Sequence, residues 1–337
     1  MVKRRSNFEL LRVIAIVFII LYHFVFYQKD IFSVITTNSV INILYSLFYA
    51  GGKIGVALFI MITGYFMIDK EITLKKLIKL ELQVLFYSLG IYLVFLLFGG
   101  YSFSFENLFK SMMPLFNNLY WFYTRYFSII VFTPYINKML NNLSKKEYLK
   151  MLGLGFIFLI FLLNVNFEMS RNALYLLYYY TIGGFIKRYG DDYKKYDKFY
   201  LVVFILGFVL IVSSILFFKG INASDYFVYY FMSLGSFLTV ISACSLFIWF
   251  NYRKIKYSKL INRLGNVCFG TYLFQEHFVM IELLWGKLFK ISNASNWLDI
   301  VLKGIVAIIF IFLITYIIEL VRNYLFNKIF DKENYIV

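Results

Sequence analysis

Charge is scarce in this sequence: Asp, Glu, Lys and Arg make up 15% of the 337 residues, whereas apolar residues make up 61%. Soluble domains have roughly 25% charged and 45–50% apolar residues, so the composition argues against a soluble globular protein. Only two prolines and two cysteines are present. Because Cys244 and Cys268 lie in apolar segments without a CxxC spacing, neither a disulfide framework nor a zinc site is indicated, and we predict no bound metal.

The sequence contains long apolar runs that have few charged residues. A helix needs about 20 residues to cross the roughly 30 Å of hydrocarbon in a bilayer. Ten apolar runs with short polar breaks predict an all-α, polytopic membrane protein of about ten transmembrane helices, forming a single domain over residues 1–337. The predicted spans are 8–28, 44–68, 77–98, 119–137, 151–166, 173–187, 199–218, 226–250, 265–287 and 299–321.

The formal net charge of +16 would suggest a nucleic-acid partner if the 34 Lys and Arg residues shared one polar face. On the ten-helix map, 24 of the 34 lie in alternate loops that include both termini or at the span ends beside them, seven lie in or beside the other loops, and three remain deeper within spans. Because cytoplasmic loops carry the excess of Lys and Arg, we predict cytoplasmic N- and C-termini. The charge then reports orientation in a cell membrane, predicted to be a bacterial plasma membrane, and no nucleic acid is needed as a partner.

Ionisable side chains inside the predicted spans are functional candidates, because each costs roughly 3 kcal/mol or more to place in hydrocarbon. These candidates are Arg12, His23, Lys53, Arg125, Glu276, His277 and Glu282, together with Glu81 and Glu319 near the ends of their spans. Structural alternatives stay open: Arg12 can reach the lipid headgroups, and His23 can be a hydrogen-bonded packing residue. Lys53 and Glu276 can form an ion pair between helices, and Arg125 can anchor an aromatic belt at the membrane interface.

Spacing along the first span relates two of these candidates. Arg12 and His23 are eleven residues apart, which leaves about 20° of net rotation and about 16 Å along the axis, so both project from one face. Arg12 is expected near the cytosol and His23 in the outer half of the membrane. His277 follows Glu276 directly, and on a continuous helix it points about 100° away, so we favour Glu276 as the residue that faces the other candidates.

Small residues recur in two spans, at 51–55 and at 183–184. In membrane helices such runs usually permit close helix packing and only sometimes form a binding site. The run at 51–55 has no phosphate-loop spacing, and the sequence has no Ser-His-Asp, HExxH or Gly-x-Ser-x-Gly arrangement. A hydrolase signature is therefore absent.

Four segments resemble those of the integral-membrane acyltransferase family 3, whose members acylate cell-surface glycans. Residues 12–23 fit its Arg-x10-His signature, and 55–65 are similar to its second-helix pattern, with Thr63 where serine is usual. The segment 119–122 leads to Pro134, and 270–277 resembles a late motif, with Gln275 where histidine is common. The resemblance covers most of the chain and agrees with ten helices and cytoplasmic termini.

The resemblance implies an acyl-CoA donor, with acetyl-CoA as the expected one, on the cytoplasmic side and a hydroxyl acceptor on a cell-surface or lipid-linked glycan. No permanently bound cofactor is implied. Arg12, joined by Lys53, is then expected to bind the anionic donor, because a guanidinium binds phosphate in a bidentate manner. His23 is expected to act as general base, Arg125 or Lys53 to stabilise the oxyanion, and Glu276 to complete the catalytic set.

A transporter is the alternative that the same charges allow. Ionisable residues in the membrane also line translocation paths or proton relays, so an exporter of polysaccharide or of a small solute fits the polar residues as well. Internal symmetry and paired Gly- or Pro-broken helices, which are frequent in transporters, are not evident in the sequence. The acyltransferase interpretation is therefore preferred.

Overall fold

The computed structural model describes residues 5–28, 39–159, 168–291 and 296–329, and every regular element within them is helical. The α-helices are α1 Ser6–Phe26, α2 Ser39–Met67, α3 Leu74–Phe98, α4 Phe105–Met112, α5 Trp121–Asn141, α6 Lys145–Ile157, α7 Glu168–Tyr189, α8 Asp197–Gly220, α9 Asp225–Tyr230, α10 Phe237–Tyr252, α11 Lys259–Glu276, α12 Phe278–Ile281 and α13 Trp297–Ile329. A 3₁₀ turn, Gly190–Tyr196, joins α7 to α8, and a π-helical turn, Glu282–Leu288, follows α12.

Within the described ranges, five helical segments are long and apolar enough to span a membrane, which makes the chain a helical membrane protein. The apolar helix α10 is shorter, at 16 residues. The count of ten spans and the cytoplasmic termini stay predictions; residues 160–166 of the predicted fifth span lie outside the described residues. The five segments are Ser6–Phe26, Ser39–Met67, Leu74–Phe98, Asn172–Gly220 and Trp297–Lys328.

Two predicted spans are not continuous helices. The span 226–250 is interrupted between α9 and α10, where residues 231–235 form turns. The Ser236 hydroxyl caps α10 by accepting the Leu238 N–H at 3.2 Å. The span 265–287 is interrupted at His277, whose backbone is extended with φ −68° and ψ 134°. Both predictions of an unbroken helix were wrong, because local side-chain hydrogen bonds compete with the helical ladder.

Helix α1 lies in the core, where it packs against α2 and α11 and also contacts α10 and α13. Side chains that are at most 5% exposed recur along it every three or four residues, at Phe8, Leu11, Ala15, Ile19 and His23. This spacing is the periodicity of one helix face and its flanks. His23 therefore belongs to a buried stripe of α1.

Close approach of helices explains the two runs of small residues. At Gly52 of α2, a Cβ would overlap the Tyr22 ring of α1, and at Gly183 of α7 it would overlap the main-chain oxygen of Met61 in α2. Only glycine permits this spacing between the helices. The packing interpretation of both runs is confirmed, and it brings α1, α2 and α7 together around the polar residues of the core.

Candidate active site

The centre of the candidate site is a contact between α1 and the last residue of α11. His23 Nε2 lies 2.7 Å from Glu276 Oε1, and both side chains are 6% exposed. The Tyr27 hydroxyl, one turn after His23, donates a 2.9 Å hydrogen bond to the same carboxylate oxygen. A carboxylate only accepts hydrogen bonds, so the imidazole donates from Nε2.

The other imidazole nitrogen is left with its lone pair. No hydrogen-bond partner of His23 Nδ1 is found among the described residues. With the proton held on Nε2 by Glu276, Nδ1 is the proton-accepting atom of the ring. This is the relation of carboxylate to imidazole that orients a catalytic histidine and stabilises its protonated form.

Because the helix breaks at His277, Glu276 and not His277 contacts His23. Glu276 ends α11 and contacts His23, whereas His277 Nδ1 accepts the Val279 N–H at 3.3 Å and caps α12. His277 Nε2 lies 3.0 Å from the Ser88 carbonyl oxygen. Because both of its ring nitrogens are engaged with the backbone, His277 holds the chain where α11 ends.

Lys53 of α2 lines the same cavity as His23. Its ammonium group lies 4.6 Å from the ring centroid of Trp121 and 5.3 Å from that of Tyr22. It interacts electrostatically with Glu276, although the described residues place His23, and not Lys53, within hydrogen-bond distance of that carboxylate. The cavity lies between α1, α2, α5 and α11, and aromatic rings form much of its wall.

Arg125 lies on α5, behind the Trp121 ring. Its Nη1 donates to the Asn118 side-chain oxygen at 3.0 Å and to the Trp121 carbonyl oxygen at 2.6 Å, and its guanidinium carbon is 5.7 Å from the Trp121 centroid. Asn118 has a left-handed φ of 50°, which this contact stabilises. Arg125 therefore fixes the start of α5 and the ring that Lys53 faces, and it does not line the cavity wall itself.

Arg12 lies near the opposite end of α1 from His23. Its Nη1 is bonded to both oxygens of Glu9, at 3.0 and 3.1 Å, and its side chain is 29% exposed. The structure thus brings His23, Lys53 and Glu276 together, with Arg125 behind Trp121, and leaves Arg12 about 16 Å away along the helix. Glu9 partly neutralises the cation that was expected to bind phosphate.

Two residues of the site were not predicted from the sequence. Tyr27 is four residues after His23, and this spacing places it on the same helix face. Trp121 belongs to the segment 119–122 of the sequence resemblance, but that pattern does not show that its ring lies against both Lys53 and Arg125. Neither residue is ionisable at neutral pH, which is why a search for intramembrane charge did not find them.

A histidine oriented by a carboxylate, next to a cation in a largely apolar cavity, is an arrangement for proton transfer and anion stabilisation. The fold and this site define the class: a helical membrane protein with a buried acid–base pair. The chain belongs to acyltransferase family 3, because the family model described as an acyltransferase domain matches residues 5–316. It is therefore an acyltransferase, the first of the two classes that the sequence allowed. No curated protein and no solved structure gives a significant match.

Proposed function

We propose that the protein transfers an acyl group, most simply acetyl, from cytoplasmic acyl-CoA to a hydroxyl group of a cell-surface or lipid-linked glycan. Family membership supports the acyl transfer. The observation that carries the mechanism is the 2.7 Å contact between His23 and Glu276 beside Lys53. Imidazole exchanges protons near neutral pH, which suits activation of a hydroxyl group.

The proposed reaction begins when His23 Nδ1 takes the proton of the acceptor hydroxyl. The hydroxyl oxygen then attacks the thioester carbon of the donor, and the ammonium of Lys53 stabilises the resulting oxyanion. Collapse of this intermediate forms the ester, breaks the carbon–sulfur bond and expels the thiolate of CoA, which receives the proton from His23. Glu276 keeps the imidazole in position and balances its positive charge while it carries the proton.

Donor binding is proposed to use Arg12, which lies at the predicted cytoplasmic end of α1. Its Nη1 is held by Glu9, so a phosphate would bind the remaining face of the guanidinium. The roughly 16 Å of helix between Arg12 and His23 separates the phosphate from the thioester, as an extended pantetheine arm requires. Arg125 is proposed to act through Trp121, by keeping the aromatic ring in place against Lys53.

The proposal is tested by incubating the purified, reconstituted protein with radiolabelled acetyl-CoA and crude cell-envelope glycan. The chain has two histidines, which provide a matched pair of variants. His23→Gln should abolish label transfer while the protein still inserts and accumulates. His277→Gln, whose side-chain amide can still donate to the Ser88 carbonyl and accept the Val279 N–H, keeps both contacts at the helix break and should retain label transfer. Full transfer by His23→Gln would refute the role of His23, and solute accumulation in proteoliposomes without acyl transfer would support the transporter instead.

A further inference from the structure

A second cavity lies between α6, α7, α8, α10 and the 3₁₀ turn. It is partly open to the surroundings of the protein, and it shares no lining residue with the cavity at His23. The proposed acyl transfer uses none of its residues. We name it the α7–α10 groove, after the two helices that form its long walls.

The groove is long and narrow. Each long wall is a row of residues at four-residue spacing, which is one helix face. Both rows cover twelve residues, or roughly 18 Å of helix axis, which is comparable to the roughly 15 Å of hydrocarbon in one leaflet of a bilayer. The rows are Tyr178, Ile182, Ile186 and Gly190 on one side and Val240, Cys244, Ile248 and Tyr252 on the other.

The walls change in chemistry along this length. Aliphatic side chains line the middle, whereas Tyr193, Tyr200 and Tyr252 line the end near the 3₁₀ turn. The Tyr252 hydroxyl donates a hydrogen bond to the Gly190 carbonyl oxygen and so ties α10 to this turn. Tyrosines concentrate where a membrane meets water, so the groove runs from an interfacial end into the apolar layer.

Positive charge gathers at the tyrosine end, the side predicted to face the cytosol. Asp192 and Asp197 are ion-paired with Lys145 and Arg253, at 2.5 and 2.8 Å. The Lys145 ammonium also lies 5.7 Å from the Tyr193 ring centroid, at the edge of the groove.

The remaining charges of the turn and of the start of α8 are unbalanced. The exposed lysines Lys194, Lys195 and Lys198 outnumber Asp191, so the end of the groove attracts anions. In the cytoplasmic leaflet, clusters of basic side chains beside membrane helices attract anionic lipid headgroups.

We infer that the α7–α10 groove binds one acyl chain of an anionic phospholipid, with the headgroup phosphate at the lysines of the 3₁₀ turn. The length of the groove fits a lipid chain, its apolar middle fits hydrocarbon, and its cationic end fits a phosphate. This is a lipid-binding site separate from the site of acyl transfer.

The test is native mass spectrometry of the delipidated full-length protein titrated with dioleoylphosphatidylglycerol or dioleoylphosphatidylcholine. We expect one phosphatidylglycerol per chain, bound about tenfold more tightly than phosphatidylcholine. Cys244→Phe places a ring in the middle of the groove and should weaken phosphatidylglycerol binding about tenfold. Ile241→Phe is the matched control, because Ile241 is on the same helix but 39% exposed, and it should bind as the wild type does.

The headgroup contact is tested by a variant in which Lys194, Lys195 and Lys198 are replaced by glutamine, which should lose the preference for phosphatidylglycerol. Equal binding by Cys244→Phe and Ile241→Phe would overturn the inference, as would equal affinity of the wild type for the two lipids. If Cys244→Phe does not give a monodisperse protein, Cys244→Leu takes its place. Its phosphatidylglycerol affinity and that of the lysine variant are then compared with the affinity of the wild type. If the groove binds palmitoyl-CoA and shows no preference for phosphatidylglycerol, it holds the acyl chain of the donor. That result would contradict the proposed phospholipid site.

Discussion

At the level of single residues, the site depends on a carboxylate that is buried because it has partners. Glu276 is 6% exposed and accepts from both His23 and Tyr27, which offsets the cost of placing its charge among apolar side chains. The same contacts hold the imidazole with Nδ1 free. In this way one buried hydrogen-bonded pair serves both packing and proton transfer.

Glu276→Gln should lower kcat for acyl transfer by about 10²- to 10⁴-fold. The amide keeps the size of the carboxylate, but it neither fixes the imidazole proton on Nε2 nor balances the imidazolium. KM for the donor should change little, because Glu276 is distant from Arg12. Steady-state kinetics check this, with Glu282→Gln as control, since Glu282 is 55% exposed and pairs with Lys287. A wild-type kcat in Glu276→Gln would exclude the carboxylate from the reaction.

Lys53→Met should lower kcat about 10²-fold or more if the ammonium stabilises the oxyanion. Methionine keeps most of the apolar stem, so the contacts with Tyr22 and Trp121 are largely retained. Arg125→Lys should have a smaller effect, because Arg125 acts only through Trp121. The two variants are compared by single-turnover transfer from acetyl-CoA; an equal loss in both would show that Lys53 also acts by positioning.

The sequence was sufficient to select these residues but not to arrange them. Arg12, His23, Lys53 and Glu276 stand out because each is ionisable within an apolar run. Their grouping depends on tertiary packing: which side of α2 faces α1, and where α11 ends. The pairing of Arg12 with Glu9 has an i, i+3 spacing that was visible in the sequence, but Glu9 lay just inside the first predicted span and was not considered.

At the level of elements, a helix interruption and close contacts between helices position the side chains of the candidate site. The end of α11 at Glu276 turns the carboxylate towards α1, and the imidazole of His277 stabilises the break by capping α12. Apolar periodicity predicts the helices of this core well, but a single extended residue inside an apolar run leaves the hydropathy unchanged. Composition and residue spacing therefore do not predict the helix break at His277. They do predict the helix-packing role of the glycines.

Gly52→Ala should destabilise the protein by about 1–3 kcal/mol, because the added Cβ overlaps the Tyr22 ring. Since Tyr22 precedes His23, acyl transfer should fall as well. Gly90→Ala in α3 is the matched control: nothing lies within 4 Å of its Cβ position, and alanine favours a helix over glycine. Thermal unfolding in detergent measures the difference. A Gly52→Ala variant as stable as Gly90→Ala would contradict the close packing of α1 and α2.

At the level of the whole molecule, orientation in the membrane separates the two substrates. The excess of Lys and Arg in alternate loops predicts that the 3₁₀ turn between α7 and α8 faces the cytosol and that the segment between α3 and α4 faces outwards. Donor and acceptor would then reach His23 from opposite sides. The five helical segments long enough to span a bilayer agree with a membrane location, and the direction of each is a matter for experiment.

Single cysteines test this orientation in a chain whose Cys244 and Cys268 are replaced by serine. Ser102→Cys, in the segment before α4, should react with a membrane-impermeant maleimide in intact cells. Lys194→Cys, in the 3₁₀ turn, should react only after the membrane is opened. Both positions are exposed, so access is limited by the bilayer alone. Labelling of Lys194→Cys in intact cells would reverse the predicted topology.

The most direct test of the account is a double-mutant cycle on kcat for acetyl transfer, with wild type, His23→Gln, Glu276→Gln and the double variant. If the two residues act as one catalytic unit, their effects are far from additive. We expect the double variant to be no slower than His23→Gln alone, because Glu276 acts only through the imidazole. Losses that multiply in the double variant would show that the two side chains act independently and would contradict the proposed acid–base pair.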